Sequence, residues 1–229
     1  MACIGLLGGM SWESSAEYYR LLNELTAQRR GGLHSAECVL YSVDFAEIEE
    51  MQVSGRWAEA ASRLARAARS LEAAGADLVL LCTNTMHKVY DDVQAAVSVP
   101  LLHLGDATAT AVRAAGLTRV GLLGTAFTME QAFYRDRLAS HGLEVLVPTA
   151  EDRALVHRVI YDELCLGVVE PESHAAYLEV IDRLVADGAE GVILGCTEIE
   201  LLVKDGDTDV PQFPTTRLHV EAALAAIGL

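Results

Sequence analysis

Cys196 and Thr83 are the two residues around which chemistry can be built. Cys196 ends the apolar run Val192-Ile193-Leu194-Gly195, and Thr83 ends the run Leu78-Val79-Leu80-Leu81-Cys82. Laid over each other without gaps, 188–198 and 75–85 match glycine with glycine, alanine with alanine, acid with acid and apolar run with apolar run. Cys196 then stands opposite Thr83, and Cys82 opposite Gly195. A thiol at a strand end, beside the first turn of a helix, is expected to have its pKa lowered from about 8.5 towards neutrality. Such a thiolate attacks a carbonyl or takes a proton from carbon. Covalent hydrolysis asks for a His paired with the Cys. No His adjoins Cys196 in sequence, although His87 or His103 could approach it in space. A residue on each side of one ligand suits removal of a proton from one face of a carbon and its return to the other.

The elements that must position these residues repeat as well. Ile4-Gly5-Leu6-Leu7-Gly8 pairs with Val120-Gly121-Leu122-Leu123-Gly124 at nearly the same offset, so two matches in order indicate an internal duplication of about a hundred residues. Strands are expected over 3–8, 37–43, 76–82, 118–124, 143–147 and 192–196, with helices between them. Ser14 with Glu17, and Thr128 with Gln131, have capping-box spacing. Gly75 and Gly188 end helices; Trp57 lies on the apolar stripe of the helix over 56–74. Alternating strands and helices give parallel sheets, and ligands bind outside the carboxyl ends of the strands. The expected fold is α/β: two similar Rossmann-like lobes related by a pseudo-two-fold, with the active site in the cleft between them. Residues 1–103 plus 208–229 are expected to form the first lobe and 104–207 the second.

Segments at strand ends are Gly9-Met10-Ser11, Thr83-Asn84-Thr85, Thr125 to Thr128, and Cys196-Thr197-Glu198. Hydroxyls and amides dominate them, which fits a small molecule with one carboxylate better than a polyphosphate. The dinucleotide fingerprint GxGxxG is absent, which counts against NAD.

Composition narrows the class. The 229 residues are 52% hydrophobic with five prolines, enough for a sizeable core and against disorder. The net charge of −16 argues against nucleic acid or an anionic membrane as partner. Five cysteines without paired CxxC spacing suggest neither a disulfide framework nor a zinc site. Cys3, Cys38 and Cys165 have buried thiols as their default reading. The apolar run 4–10 has no basic lead and is too short for a signal peptide or a membrane span, so a cytoplasmic compartment is expected.

Across nearly its whole length the chain resembles the aspartate/glutamate racemase family, and most of all its broad-specificity amino-acid racemase branch. The resemblance rests on 8–14 (Gly-Gly-Met-Ser-Trp-Glu-Ser), Asn84-Thr85-Met86-His87, Gly124-Thr125 with Thr128, and Gly195-Cys196-Thr197-Glu198-Ile199. It implies cofactor-independent racemisation by two residues, one per lobe, in a homodimer. The family's motif at the first position is Cys-Asn-Thr, whereas this sequence reads Thr83-Asn84-Thr85. Cys82 stands one residue early, and alternation along a strand turns it away from the ligand. Aspartate-directed members carry a basic residue near Gln52 and a Lys at the position of Cys165. Neither Gln52 nor Cys165 can form a charged pair with a side-chain carboxylate.

The expected mechanism follows. Cys196 abstracts the α-proton; amides near Met10, Ser11, Thr85, Thr125 and Thr197, with Asn84, hold the carboxylate and stabilise the planar intermediate. Gln52, Cys165 and Glu198 complete the substrate-binding set, and Thr83, or a water it holds, serves the other face. The two lysines, Lys88 and Lys204, have no pyridoxal-phosphate setting, so neither cofactor nor metal is expected. A decarboxylase or isomerase with one thiol, or a non-catalytic sensor of small acids, are the rival readings.

Overall fold

A computed structural model of the chain describes Ala2–Leu229. Contacts divide the chain into two compact units, Met1–Leu104 with His219–Leu229, and Gly105–Leu218. Each is an α/β unit built on a four-stranded parallel sheet.

The first unit runs β1 (Ile4–Gly8), α1 (Trp12–Arg30), β2 (Cys38–Ser42), α2 (Phe45–Val53), α3 (Trp57–Ala73), β3 (Leu78–Leu81), a 3-10 turn (Thr85–Val89), α4 (Tyr90–Gln94) and β4 (Leu101–Leu102). Its strand order is β2-β1-β3-β4. α5 (Leu104–Ala114) starts on Leu104, the last residue of this stretch of the first unit, and its remainder opens the second, which continues with β5 (Arg119–Gly124), α6 (Ala126–Glu130), α7 (Ala132–Ser140), β6 (Glu144–Leu146), α8 (Ala150–Asp162), α9 (Pro171–Ala186), β7 (Val192–Gly195), α10 (Ile199–Leu202), β8 (Gln212–Pro214) and the start of α11 (Thr215–Ala226). Its order, β6-β5-β7-β8, repeats that of the first sheet strand for strand. The duplication seen in the sequence is therefore a duplication of topology.

Alternation along the central strands sorts side chains between the two faces of the first sheet. Leu7, Val79 and Leu81 pack with Leu64, Ala68 and Leu71 of α3. Ile4, Leu6, Leu78, Leu80 and Cys82 pack on the opposite face with Tyr18 and Leu22 of α1 and Val220 and Leu224 of α11. Removing each of these large apolar side chains from water contributes about 1.5–3 kcal/mol. In the second unit Leu123, Val192 and Leu194 pack against Val156, Val159 and Ile160 of α8 and Tyr177, Val180 and Ile181 of α9.

Three local expectations need correction. Ser11, not Ser14, caps α1: its hydroxyl accepts from Ser14 N at 3.2 Å, so Ser14 is the third helical residue. Thr125, not Thr128, caps α6 in the same way, accepting from Thr128 N at 3.3 Å. Both pairs have a hydroxyl at each end of the spacing, and the strand end immediately upstream makes the earlier one the cap. The third concerns the tail. Residues 208–218 stay with the second unit, because β8 pairs with β7 through Val192↔Gln212, Ile193↔Phe213 and Leu194↔Pro214. Only His219 onwards returns to the first unit. The acidic stretch after β2 is a helix, α2, capped by Asp44 Oδ1 on Ala46 N at 3.1 Å.

Candidate active site

In the first unit β1 and β3 are neighbours in parallel register, Leu7↔Leu81. The segments beyond their carboxyl ends therefore adjoin. Gly9 has φ +91°, and a Cβ there would lie 2.2 Å from Val43 O, so the turn out of β1 requires glycine. Gly9 N donates to Ser15 Oγ at 2.7 Å, and Ser15 Oγ donates to Ser11 O at 2.9 Å. Ser14 Oγ donates to Cys82 O at 3.2 Å, joining the start of α1 to the peptide just before Thr83. Thr83 N donates to Leu81 O at 2.8 Å, which bends the chain sharply out of β3. Met10, Ser11, Asn84 and Thr85 are buried around this turn and Thr83 is half-buried.

Gln52, on the last turn of α2, reaches the same segment. It is 3% exposed, and its Nε2 donates to Met86 Sδ at 3.0 Å. Its Oε1 is buried with no hydrogen-bond partner among the described residues. A thioether is a weak acceptor, so the amide is under-satisfied on both atoms. Cys82 is wholly buried among apolar residues, and burial pushes its thiol pKa well up.

In the second unit β5 and β7 are neighbours, Gly124↔Gly195. A Cβ at Gly195 would lie 2.7 Å from Leu123 O, so this crossing of strands leaves no room for a side chain. Thr125 and Cys196 follow directly. The Cys196 thiol donates to Glu198 Oε2 at 2.9 Å. Burial, then the Glu198 carboxylate, then Cys165 push the Cys196 pKa well above its ordinary value. This reverses the expectation of a thiol lowered by a helix terminus. The helix in question, α10, is a single turn of four residues, and its weak dipole loses to desolvation and a carboxylate in contact. Cys165 packs against the same apolar cluster as Cys196.

Sequence reasoning missed two threonines. Thr215 Oγ1 donates to Leu194 O at 2.9 Å, and the Thr216 and Thr197 hydroxyls share a hydrogen bond of 2.9 Å. They follow β8, so a strand in the tail was the signal that would have found them. The role of His87, bonded through Nδ1 to Thr83 O at 2.8 Å, was equally out of view. Among the described residues no group of three or more His, Cys, Asp or Glu could hold a metal ion, and no helix is long and apolar enough to cross a membrane.

Within the first unit, the structure thus gathers Met10, Ser11, Gln52, Thr83, Asn84 and Thr85 around adjoining strand ends. Within the second it gathers Thr125, Cys165, Cys196, Thr197 and Glu198. Each group is rich in hydroxyls and amides, and the second holds a thiol in contact with a carboxylate.

Comparison with known proteins identifies the family. The family described as Asp/Glu/hydantoin racemase matches residues 7–223. The chain is similar to a candidate Asp/Glu racemase from Yersinia pestis, with 53% identity, 99% of each chain covered and a TM-score of 0.92. It is similar to an aspartate racemase homologue from Pyrococcus horikoshii OT3, with 35% identity, 100% of each chain covered and a TM-score of 0.88. It also matches the broad-specificity amino-acid racemase RacX of Bacillus subtilis strain 168, at 26% identity over 62% of this chain and 60% of that protein.

Proposed function

The chain belongs to the Asp/Glu/hydantoin racemase family and is an amino-acid racemase, and from that premise we propose that it inverts amino acids by proton transfer at Cα, small neutral or hydroxylated ones ahead of aspartate and glutamate. The observation that carries the mechanism is the Cys196 thiol at the end of β7, 2.9 Å from Glu198 Oε2. Burial keeps the sulfur protonated at rest. Glu198 takes the thiol proton, and the thiolate then removes the α-proton from one face of the substrate. The electron pair left on Cα is delocalised into the carboxylate, which amides near Met10, Ser11, Thr85, Thr125 and Thr197 and the Asn84 side chain hold. Thr83, or a water it holds, gives a proton to the other face; solvent then takes the proton left on Glu198 and replaces the one given up on the Thr83 side, which closes the cycle. One acid/base group thus comes from each unit. An alcohol is the weaker base near neutrality, so the two faces are not equivalent.

Gln52 and Cys165 support the choice of substrate. A buried neutral amide with a free acceptor oxygen suits a polar, uncharged side chain, and neither residue offers the cation that a second carboxylate requires. The reading includes action without cofactor or metal, as a homodimer in the cytoplasm.

The test is proton NMR in deuterated water with both enantiomers of the common amino acids. The α-proton of a substrate washes out and its mirror image appears. Cys196→Ala lowers the exchange rate on the order of 10³-fold with the fold retained. Exchange and inversion that survive this change overturn the mechanism.

A further inference from the structure

We propose that His87 is a positioning residue that sets the conformation of Thr83 through the Thr83 carbonyl; the inference rests on the role just given to Thr83. The segment after β3 turns as a 3-10 helix, in which His87 N donates to Asn84 O at 3.1 Å rather than to Thr83 O. The imidazole takes the carbonyl instead: Nδ1 lies 2.8 Å from Thr83 O. Its other nitrogen, Nε2, accepts from Leu104 N at 3.1 Å, at the start of α5. One ring therefore bridges two backbone groups, the Thr83 carbonyl and the Leu104 amide.

The partners decide the proton's place. A carbonyl can only accept and an amide N–H can only donate, so Nδ1 carries the hydrogen and Nε2 the lone pair. A doubly protonated ring would turn a donor towards the Leu104 amide and break the bridge. The ring has little freedom to turn. It is 3% exposed and lies against Tyr90, stacked at 6.1 Å between centroids, His103 at 4.7 Å and His219 at 5.9 Å.

The Thr83 peptide is thereby held on both sides. Ser14 Oγ donates to Cys82 O before it, Thr83 N donates to Leu81 O, and His87 grips the Thr83 carbonyl. The hydroxyl of a β-branched residue follows its backbone closely. A shift of the carbonyl therefore moves the hydroxyl, and displacement of a reacting group by about 1 Å can cost on the order of 10²-fold in rate. His87 acts on Thr83 and leaves Cys196 untouched, so its loss has a particular signature: inversion falls while exchange at the Cys196 face persists.

Two isosteric variants separate the two bonds. Asn places an amide nitrogen where Nδ1 was and keeps the donor to Thr83 O. Gln places an oxygen near the position of Nε2 and keeps only the acceptor for Leu104 N. With wild-type exchange first established on a substrate, the ratio of inversion to same-face exchange is measured in both. His87→Gln is expected to lower the ratio about tenfold or more, and His87→Asn to hold it within about threefold of wild type. Equal ratios in wild type and His87→Gln, or a fall in both variants alike, overturn the inference. Nitrogen-15 shifts of the wild-type imidazole provide a second arm that needs no variant: a neutral ring with hydrogen on Nδ1 is expected, and hydrogen on Nε2 overturns it. If no amino acid exchanges its α-proton with wild type, the failure is that of the racemase mechanism, which the imidazole shifts do not depend on.

Discussion

The thiol of Cys196 and the carboxylate of Glu198, two residues apart at the end of β7, share a hydrogen bond of 2.9 Å. The pair both holds the thiol neutral and offers it a proton acceptor. Cys196 is pushed up by burial first and by Glu198 second, so near pH 7 the free enzyme carries a thiol, and the thiolate gains ground as pH rises through the alkaline range. Glu198→Gln removes one of the raising influences. Alkylation of Cys196 by iodoacetamide is then expected to accelerate at lower pH than in wild type, while kcat/KM falls on the order of 10²-fold for want of the acceptor. An alkylation profile that stays in place or moves to higher pH would show that Glu198 does not govern the sulfur.

Gln52 leads to a prediction on substrate choice. Its buried amide, seated on Met86 Sδ, is expected to favour neutral or hydroxylated amino acids over aspartate and glutamate in kcat/KM. Gln52→Arg is expected to raise the aspartate-to-neutral ratio tenfold or more, since a hydrogen bond to a charged group contributes about 1.5–3 kcal/mol. A wild-type preference for dicarboxylic amino acids is the result that contradicts this.

Thr83 and Cys82 make a paired prediction. The enantiomer whose α-hydrogen faces Cys196 should wash out its proton faster than it inverts, and the opposite enantiomer should react more slowly. Thr83→Cys supplies a second thiol at little change in volume, and inversion should rise relative to same-face exchange. Cys82 lies wholly in the core beside Leu78 and Leu80, so Cys82→Ala should cost about 1–2 kcal/mol of stability with little effect on rate. Loss of activity in Cys82→Ala with inversion intact in Thr83→Ala would reverse the assignment.

His219 predicts how stability depends on pH. It is fully buried, its Nδ1 accepting from Tyr18 OH at 2.9 Å and its Nε2 donating to Leu102 O at 3.1 Å. Burial and then His87 lower its pKa from 6.5 to about 3. The unfolded chain binds the proton more readily, so this contribution is complete above about pH 6.5 and is lost as pH falls towards 3. Between pH 6.5 and 4.5 the loss is roughly 2–3 kcal/mol. Urea denaturation should show a smaller drop over that interval in His219→Gln than in wild type. An identical drop would mean that other groups carry the acid sensitivity.

Much of the molecule is legible in one dimension because its determinants are local or periodic. Apolar runs bounded by glycine mark β1, β3, β5 and β7, and their repetition at a common offset gives the two units the same strand order. The position of Cys196 and Thr83 just past strand ends, and the burial of Cys82, follow from alternation with period two. Other features depend on neighbours distant in sequence. β8 is three residues long and is recognisable only by pairing with β7, so the tail's allegiance and the positions of Thr215 and Thr216 were not readable beforehand. The capping hydroxyls could be chosen only once the strand ends were fixed in space. Chemistry diverged furthest at Cys196. Sequence places a thiol before a helix, but desolvation by the packed cluster around it and a carboxylate turned back onto the sulfur decide its protonation. Likewise the bridge from Thr83 O through His87 to Leu104 N joins three points along the chain. Only the folded backbone brings them within hydrogen-bonding distance, because such bonds depend on separations of a few ångströms that no spacing along a chain specifies.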